Sequence, residues 1–288
     1  MSEEYIQPEK VAGYSFEPQS RSYGERDVSL YALGVGAASD PMDLSDLKFV
    51  YERHPGGHQV LPTFGVLLGR LGGGAIPGLK YKVTSLLHGE EYLALERLLP
   101  SAGTVTSQGR VKALYDKGSG VVVVLEGTTR DAQGQVLSRH ERSLFIRGLG
   151  GFGGERGPVG GENTPPDRAP DKVHRERTSP NQALIYRLSG DRNPLHADPA
   201  VAKAAGFPRP ILHGLCTYGF AGRAVLKHYC DNLPERFKSI KARFAQPFYP
   251  GETLLTEMWQ VDAKRIVFQC KAAERDVVVL SGAAVEIA

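Results

Sequence analysis

The chain has 288 residues, of which 41% are hydrophobic and 23% are charged, and its formal net charge is +3. This composition is typical of a soluble globular protein with one large domain or two of ordinary size. The small, scattered positive charge does not support nucleic-acid binding, and no apolar run approaches the roughly 18 residues that a membrane span needs.

The cysteines and the two ends of the sequence bear on the compartment. Cys216, Cys230 and Cys270 are widely spaced, with no CxxC pair and no disulfide framework, which favours a reducing environment. The polar start MSEEYIQPEK is unlike a signal peptide, and the final VEIA is not an SKL-type peroxisomal address. We therefore expect an intracellular protein, either cytoplasmic or imported into peroxisomes by another route.

The first half begins with helical patterns and continues with strands. The apolar stretches DVSLYALGVG (27–36) and LPTFGVLLGR (61–70) come first. Alternating, β-branched segments broken by Gly, Pro and Asp follow, and they predict antiparallel hairpins. These predicted strands lie within 88–98, 109–118, 121–131 and 135–148.

A Gly/Pro-rich stretch separates the two halves. Residues 148–172 read GLGGFGGERGPVGGENTPPDRAPDK, and nothing in them can build a core. A phosphate-binding glycine loop would need a helix after it, whereas this stretch continues into TPPDRAPDK, which starts no helix. We interpret it as a linker between an N-terminal domain (1–147) and a C-terminal domain (173–288).

The second half repeats the order of motifs in the first. PNQALIYRLSGD (180–191) corresponds to 27–36, and RPILHGLCTYGFAGR (209–223) corresponds to 61–70. Four strand patterns follow, within 237–248, 253–262, 265–274 and 277–287. The order indicates an internal duplication in which each half has helices first, one of them long, and then an antiparallel sheet.

The long helix of the second half is predicted to run from Gly214 to about Tyr229. Small residues crowd its early turns, and a glycine-rich helix is intrinsically poor. Such a helix is tolerable where a sheet surrounds it and close backbone approach is needed. The predicted class is therefore α+β, with a central helix wrapped by an antiparallel sheet, which is the hot-dog arrangement.

A short stretch of the second half, RLSGDRNPLHADP (187–199), holds an Asp, an Asn and a His in a loop that Pro194 stiffens. Taken alone, Asp191 and His196 are more typical of turn caps than of catalytic groups. The adjoining Asp198–Pro199 pair predicts a plain helix start.

Three observations nevertheless favour chemistry in this loop. The first half has Gly36 where the second has Asp191, and a purely structural requirement would be expected in both copies. A general base must be held rigidly within hydrogen-bond reach, which a stiff loop provides. Gly214, at the start of the predicted helix, would offer an unpaired backbone amide to a developing oxyanion.

The segment YRLSGDRNPLHADPAVAKAAGFPRPILHGLCTYG (186–219) resembles the signature of hydratase 2, the MaoC-like (R)-specific enoyl-CoA hydratase family. The resemblance covers nearly the whole chain, including FVYERHPGGHQVLPTFGV (49–66) and IKARFAQPFYPGETLLTEMW (240–259). It implies a double hot-dog fold. The N-terminal half would be degenerate and accommodate acyl chains, and the C-terminal half would be catalytic.

The resemblance implies addition of water to a trans-2-enoyl-CoA, which gives a (3R)-3-hydroxyacyl-CoA. Asp191 and His196 would be the pair that activates water and delivers a proton. The resemblance does not assign the base and the acid to one residue each. Asn193 would orient the water, and the backbone amide of Gly214 would face the thioester oxygen.

The resemblance also points to four residues for the CoA moiety: His88, Gly89, Lys117 and Phe244. From the residues alone, Lys117 is equally typical of a solvated turn lysine, and Phe244 is typical of a strand that packs in the core. Lys241 and Arg243 are further candidates for phosphate contacts.

No metal or other cofactor is expected, because the addition of water needs neither. His54 and His58 are four residues apart, but the intervening Pro-Gly-Gly breaks any helix and no third ligand is evident. His213, which precedes Gly214, is interpreted as a buried histidine bonded to backbone and not as a catalytic group.

Three alternative functions stay open at this point. A dehydratase uses the same groups in reverse, a thioesterase would direct water at the carbonyl, and a non-catalytic module would only bind acyl-CoA. The expected partner is an acyl-CoA thioester. A homodimer is expected from the symmetry of two fused halves but is not required by it.

Overall fold

A computed structural model describes residues 4–40, 42–69, 71–72 and 74–288. Within those residues the helices are α1 (Pro8–Val11), α2 (Glu25–Gly34), α3 (Gly65–Leu68), α4 (Gln182–Tyr186), α5 (Pro199–Ala204) and α6 (Gly214–Tyr229). The strands are β1 (Tyr5–Ile6), β2 (Gln19–Tyr23), β3 (Leu79–Lys80), β4 (Leu86–Leu95), β5 (Gly103–Asp116), β6 (Gly120–Arg130), β7 (Val136–Arg147), β8 (Lys172–Arg177), β9 (Phe237–Phe244), β10 (Thr253–Gln260), β11 (Arg265–Ala272) and β12 (Val277–Ile287).

One antiparallel sheet runs through both halves, in the order β2-β5-β6-β7-β4-β9-β12-β11-β10-β8. The halves meet at the centre, where β4 of the first pairs with β9 of the second and Leu93 lies opposite Ile240. Both of these side chains are fully buried. The eight predicted strand segments are confirmed as β4–β7 and β9–β12, but β5 begins at Gly103, before the start of its predicted segment 109–118.

The two edge strands of this sheet were not predicted. β2 reads QSRSY and β8 reads KVHRER, and neither has the regular apolar alternation that marks a half-buried strand. Charged and polar residues are common on edge strands because they discourage pairing with other chains.

Helix α6 packs against strands β9, β10 and β12 of the sheet and has the predicted bounds, Gly214–Tyr229. All its residues from Cys216 to Leu226 are buried. Its glycines allow close contact with the first half: a Cβ on Gly219 would lie 2.4 Å from Val35 Cγ1, and one on Gly222 would lie 2.5 Å from Thr63 Cγ2. The low helix propensity of glycine is therefore offset by packing.

The first half has no comparable long helix in the part of the chain that the structure describes. The segment 61–70 forms a short 3₁₀ turn, Pro62–Phe64, followed by the single turn of α3; its last residue, Arg70, lies outside the described residues. Helix α2 confirms the other predicted helical stretch of this half. The duplicated halves therefore differ most where the second half places its central helix.

Residues 148–171 contain neither helix nor strand, and we call them the strap. The strap ends one residue before the predicted linker does, because β8 begins at Lys172. It is not loose: the amides of Gly151 and Gly153 donate to the Asp116 carboxylate at 2.8 and 2.9 Å. The division into two domains at these boundaries stays a prediction.

Among the described residues, none of the helices combines the length and apolar character needed to span a bilayer.

Substituting two helical glycines tests the packing of α6. We expect Gly219→Ala to destabilise the protein by about 1–3 kcal/mol, because overpacking outweighs the gain in helix propensity. Gly34→Ala in α2 is the matched control, since its Cβ would meet Tyr186 Cα at an ordinary 3.4 Å. Urea unfolding measures both, and equal stability of the two variants would contradict the packing argument.

Candidate active site

The loop after α4 is held by its own backbone. Helix α4 continues into a 3₁₀ turn, and Gly190 then takes a φ of 130°, a conformation that favours glycine. The Asp191 carboxylate accepts a hydrogen bond from the Asn193 amide at 3.1 Å. The Asn193 side-chain oxygen caps the next turn by accepting from the Leu195 amide at 3.0 Å, and Pro194 is the first residue of that turn. Asp191 and His196 therefore occupy fixed positions.

Three titratable side chains meet at this loop. One carboxylate oxygen of Asp191 and one ring nitrogen each of His196 and His213 lie within 4.8 Å of one another. Asp191 is exposed, whereas His196 and His213 are buried. The fold thus brings the two groups of the predicted pair together and adds His213 as a third.

His213 connects the loop to α6, for which it is the N-cap residue. Its Nε2 donates to the backbone carbonyl of Asp191 at 3.2 Å, as the sequence interpretation required. Its ring also stacks on His196, with centroids 3.7 Å apart and planes 27° from parallel. This contact was missed, because nothing in the spacing of the two histidines shows that their rings meet.

The hydrogen bonds define the tautomers of both imidazoles. His196 Nδ1 lies 2.9 Å from the Ile211 carbonyl, which only accepts, so Nδ1 carries the proton and Nε2 a lone pair. By the same reasoning His213 Nε2 carries its proton, and its Nδ1 is buried without a partner. Burial lowers the pKa of His196, and burial together with the neighbouring His196 lowers the pKa of His213 to about 4. Both rings are therefore neutral near pH 7.

The amide of Gly214 lies beside this cluster. Gly214 is the first residue of α6, and the N–H groups of a first helical turn have no acceptor within the helix. A Cβ at this position would lie 2.8 Å from the ring of Phe244 at the end of β9. Phe244 therefore covers the start of the helix, and only glycine fits beneath it.

His88 packs on Phe244, with ring centroids 4.7 Å apart. Its Nε2 lies 2.8 Å from Glu91 Oε2, although residues three apart on a regular strand face opposite sides. A bulge between His88 and Glu90 brings both side chains to the same face. Gly89 lies within the bulge, where a Cβ would approach the Ser143 carbonyl to 3.2 Å.

A buried ion pair supports His88, and no motif in the sequence indicated this pair. Arg142 on β7 donates to both oxygens of Glu91, from Nε at 2.7 Å and from Nη2 at 3.2 Å. The Glu91 side chain is fully buried. Burial opposes ionisation of Glu91, but Arg142 and then His88 outweigh it and lower the pKa of the carboxyl to about 2. Pairing this charge offsets its desolvation.

The other predicted cations have local partners. Lys117 lies in the β5–β6 turn, where its ammonium donates to the Arg156 carbonyl of the strap. Lys241 bonds Glu162 at 2.9 Å, and Arg243 bonds Glu90 at 2.6 Å. None of these contacts joins a cation to the Asp191 loop.

The two histidines first considered as metal ligands are engaged elsewhere. His54 Nδ1 accepts from the Gly56 amide at 3.1 Å, and His58 Nε2 lies 3.3 Å from both Ser29 Oγ and the Phe49 carbonyl. Within the described ranges, the one group of three side chains placed to hold a metal is Asp191, His196 and His213.

A mostly apolar cavity of about 160 Å³ borders His196. Its walls include Leu184, Pro210 and Pro250, and Arg209 lies among them. The buried imidazole is thus reached from a recess that offers contact to hydrocarbon.

The Glu91–Arg142 pair predicts a pH dependence of stability. Because the folded-state pKa of Glu91 lies below its unfolded value, the stabilisation is fully present above about pH 4.3 and is lost as the pH falls towards about 2. We expect Glu91→Gln to reduce the slope of unfolding free energy against pH in that window. Glu96→Gln, which disrupts an exposed pair with Arg139, is the control and should leave the slope unchanged. Equal slopes in wild type and Glu91→Gln would contradict the assignment.

Comparison with known proteins agrees with this architecture. Residues 22–148 match the family described as "MFE-2 hydratase 2 N-terminal domain", and residues 162–283 match "MaoC like domain". The Arabidopsis thaliana protein named "Enoyl-CoA hydratase 2, peroxisomal" is 46% identical over 281 residues, which cover 92% of this chain and 91% of that protein.

Solved structures show the same likeness. The crystal structure of a MaoC-like dehydratase from Phytophthora capsici has a TM-score of 0.88 at 34% identity, with 98% of each chain covered. A Mycobacterium tuberculosis protein described as a double hot-dog fold has a TM-score of 0.58 at 16% identity, with 96% of each chain covered, a likeness of fold alone. The expected double hot-dog fold is confirmed, and the chain belongs to the MaoC-like hydratase 2 family.

Proposed function

We propose that this protein is a (3R)-specific 2-enoyl-CoA hydratase, which adds water across the double bond of a trans-2-enoyl-CoA. The observation that carries the proposal is the meeting of Asp191 and His196 beside the first amide of α6. The family and the named function of the Arabidopsis relative support the same reaction. The R configuration of the product rests on the family resemblance.

The chemistry needs a proton acceptor, a proton donor and a place for negative charge. As the oxygen of water bonds to C3, the Asp191–His196 pair takes one proton from it, and the π electrons move onto the thioester as an enolate. The pair then returns one proton to C2, so that one water is consumed and the residues are regenerated. His196 is suited to accept, because it is neutral and its Nε2 lone pair is not used by Ile211.

Asn193 is proposed to orient the water. Its side-chain oxygen is occupied by the Leu195 amide, which leaves the NH₂ group to donate to the water oxygen. The Gly214 amide is proposed to stabilise the enolate oxygen, and loss of one such donor typically costs about 3–4 kcal/mol of transition-state stabilisation.

The CoA moiety is proposed to lie along His88, Gly89 and Phe244. Phe244 contacts both His88 and the start of α6, so these residues form one continuous surface next to the proposed thioester position. Lys117 is proposed to meet a phosphate, for which its ammonium would exchange the Arg156 carbonyl for a stronger, charged acceptor.

The closest rival is a dehydratase, which runs the same steps backwards. The Phytophthora capsici relative is described as one, and the same loop would serve either direction. A non-catalytic acyl-CoA-binding protein would not need the Asp and His to converge. The homodimer stays a prediction from symmetry. Of the two expected compartments, the cytoplasm and the peroxisome, the name of the Arabidopsis relative favours the peroxisome.

The pair is tested by Asp191→Asn and His196→Gln. Each change should lower the hydration rate of crotonyl-CoA or decenoyl-CoA by about 10²–10⁴-fold, because each removes a proton-transfer group. The loss of enoyl-thioester absorbance measures the rate, and chiral analysis identifies the product.

Asp198→Asn is the matched control for the pair. Asp198 caps α5 two residues after His196, and asparagine caps a helix equally well, so activity should be retained. Release of free thiol by the wild type would indicate a thioesterase, and binding without turnover would indicate a binding module. Either result would overturn the proposal.

The glycine at the start of α6 gives a second test. Gly214→Ala should lower kcat/KM, because its methyl group would displace Phe244 from the proposed thioester position. Adding Phe244→Leu removes the ring that the methyl group would meet, so the double variant should recover part of the activity. If Gly214→Ala retains full activity, the amide is not where the proposal puts it.

A further inference from the structure

We propose that Asp191, His196 and His213 also form a binding site for a zinc ion, and that zinc bound there reversibly inhibits the enzyme. The inhibitory part rests on the proposed hydratase function, whereas binding of the ion does not. The site takes a divalent cation of the zinc type, bound by two imidazole nitrogens and one carboxylate oxygen.

The three donor atoms are already close. One oxygen of Asp191 and one nitrogen from each histidine lie within 4.8 Å of one another, so small side-chain movements would bring all three to zinc. Two histidines and a carboxylate, with a fourth position left to water, are a common zinc ligand set. Asp191 lies on the solvent side of this group, and the two histidines lie on its buried side.

The hydrogen bonds around the histidines are those of metal ligands. A ligating imidazole almost always donates its other N–H to a carbonyl or carboxylate, which fixes the ring and its tautomer. His196 donates from Nδ1 to the Ile211 carbonyl, and His213 donates from Nε2 to the Asp191 carbonyl. Each ring is thereby left with one lone pair, on His196 Nε2 and His213 Nδ1.

His213 Nδ1 points independently to a ligand. The residue is 1% exposed, and Nδ1 has no hydrogen-bond partner. A buried polar atom without a partner carries a desolvation cost that most proteins avoid. The proposed hydration does not use this nitrogen, and a zinc ion would satisfy it.

His58 and His140 also have a buried Nδ1 without a partner, but among the described residues neither belongs to a group of three metal-ligating side chains. His174 Nδ1 and His228 Nε2 lie 3.2 Å apart and satisfy each other, and His174 Nε2 contacts Glu176 at 3.2 Å. The nitrogen and oxygen donors of the Asp191 cluster favour zinc over magnesium, which prefers oxygen ligands in octahedral geometry.

Inhibition follows from shared atoms. Zinc would occupy the His196 lone pair and the Asp191 carboxylate, which the proposed hydration needs for proton transfer. The ion and the reacting water would therefore compete for the same space, and removal of zinc by a chelator would restore activity.

The test uses the metal-free full chain and zinc chloride as the probe. Calorimetric titration should show one zinc per chain, and zinc should inhibit hydration of crotonyl-CoA whereas magnesium at the same concentration should not. His213→Asn should weaken zinc binding in the same titration by at least about 10–100-fold, which is the loss typical of changes to residues that only support a metal ligand.

His54→Asn is the matched control, because His54 lies in a turn and its Nδ1 is bonded to the Gly56 amide. It should bind zinc and be inhibited like the wild type. If His213→Asn does not fold, X-ray absorption of zinc bound to the wild type should still show two imidazole ligands and one carboxylate ligand. In Asp191→Ala the carboxylate ligand should be absent.

The outcomes separate this inference from the proposed function. The inference would be overturned, and the proposed function left intact, if the active hydratase does not bind zinc. The same holds if His213→Asn binds zinc as tightly as the wild type. Zinc bound by these three residues in a protein without hydration activity would support the site and overturn the proposed function.

Discussion

The contact of His213 with the 190–196 loop is the constraint on which the site depends. A hydrogen bond to the Asp191 carbonyl and a stack on His196 attach this loop to the residue that begins α6. The carboxylate, the imidazole and the first amide of the helix are thereby set relative to one another before any substrate binds. Such preorganisation matters because a proton-transfer group must lie within hydrogen-bond reach of its substrate.

The position of α6 depends in turn on the small residues that let it approach the first half. Gly219 and Gly222 admit Val35 and Thr63 at distances that any side chain would prevent. The first half has only the short α3 where the second has this long helix. Both halves therefore contribute similar strands to the sheet, but among the described residues only the second half contributes a long central helix, which agrees with the proposed chemistry in the second half.

The centre of the sheet adds a charge that such a core would ordinarily avoid. Glu91 is buried between Arg142 and His88, and a buried ion pair gives little net stability against an apolar equivalent. The effect of the ion pair is geometric, because the pair holds His88 in place. His88 packs on Phe244, and Phe244 in turn covers Gly214. One ion pair in the first half thus supports the proposed thioester position in the second.

The sequence by itself determined the local features: eight strand segments, the bounds of α6, the cap at Asp198 and the rigid turn that carries Asp191, Asn193 and His196. These depend on periodicity and on residues close together along the chain. Only the tertiary structure decided the rest. The polar edge strands β2 and β8 form because neighbouring strands pair with them. The Glu91–Arg142 pair and the stacking of His196 on His213 join residues 51 and 17 positions apart, and no pattern along the chain shows which distant side chains will meet.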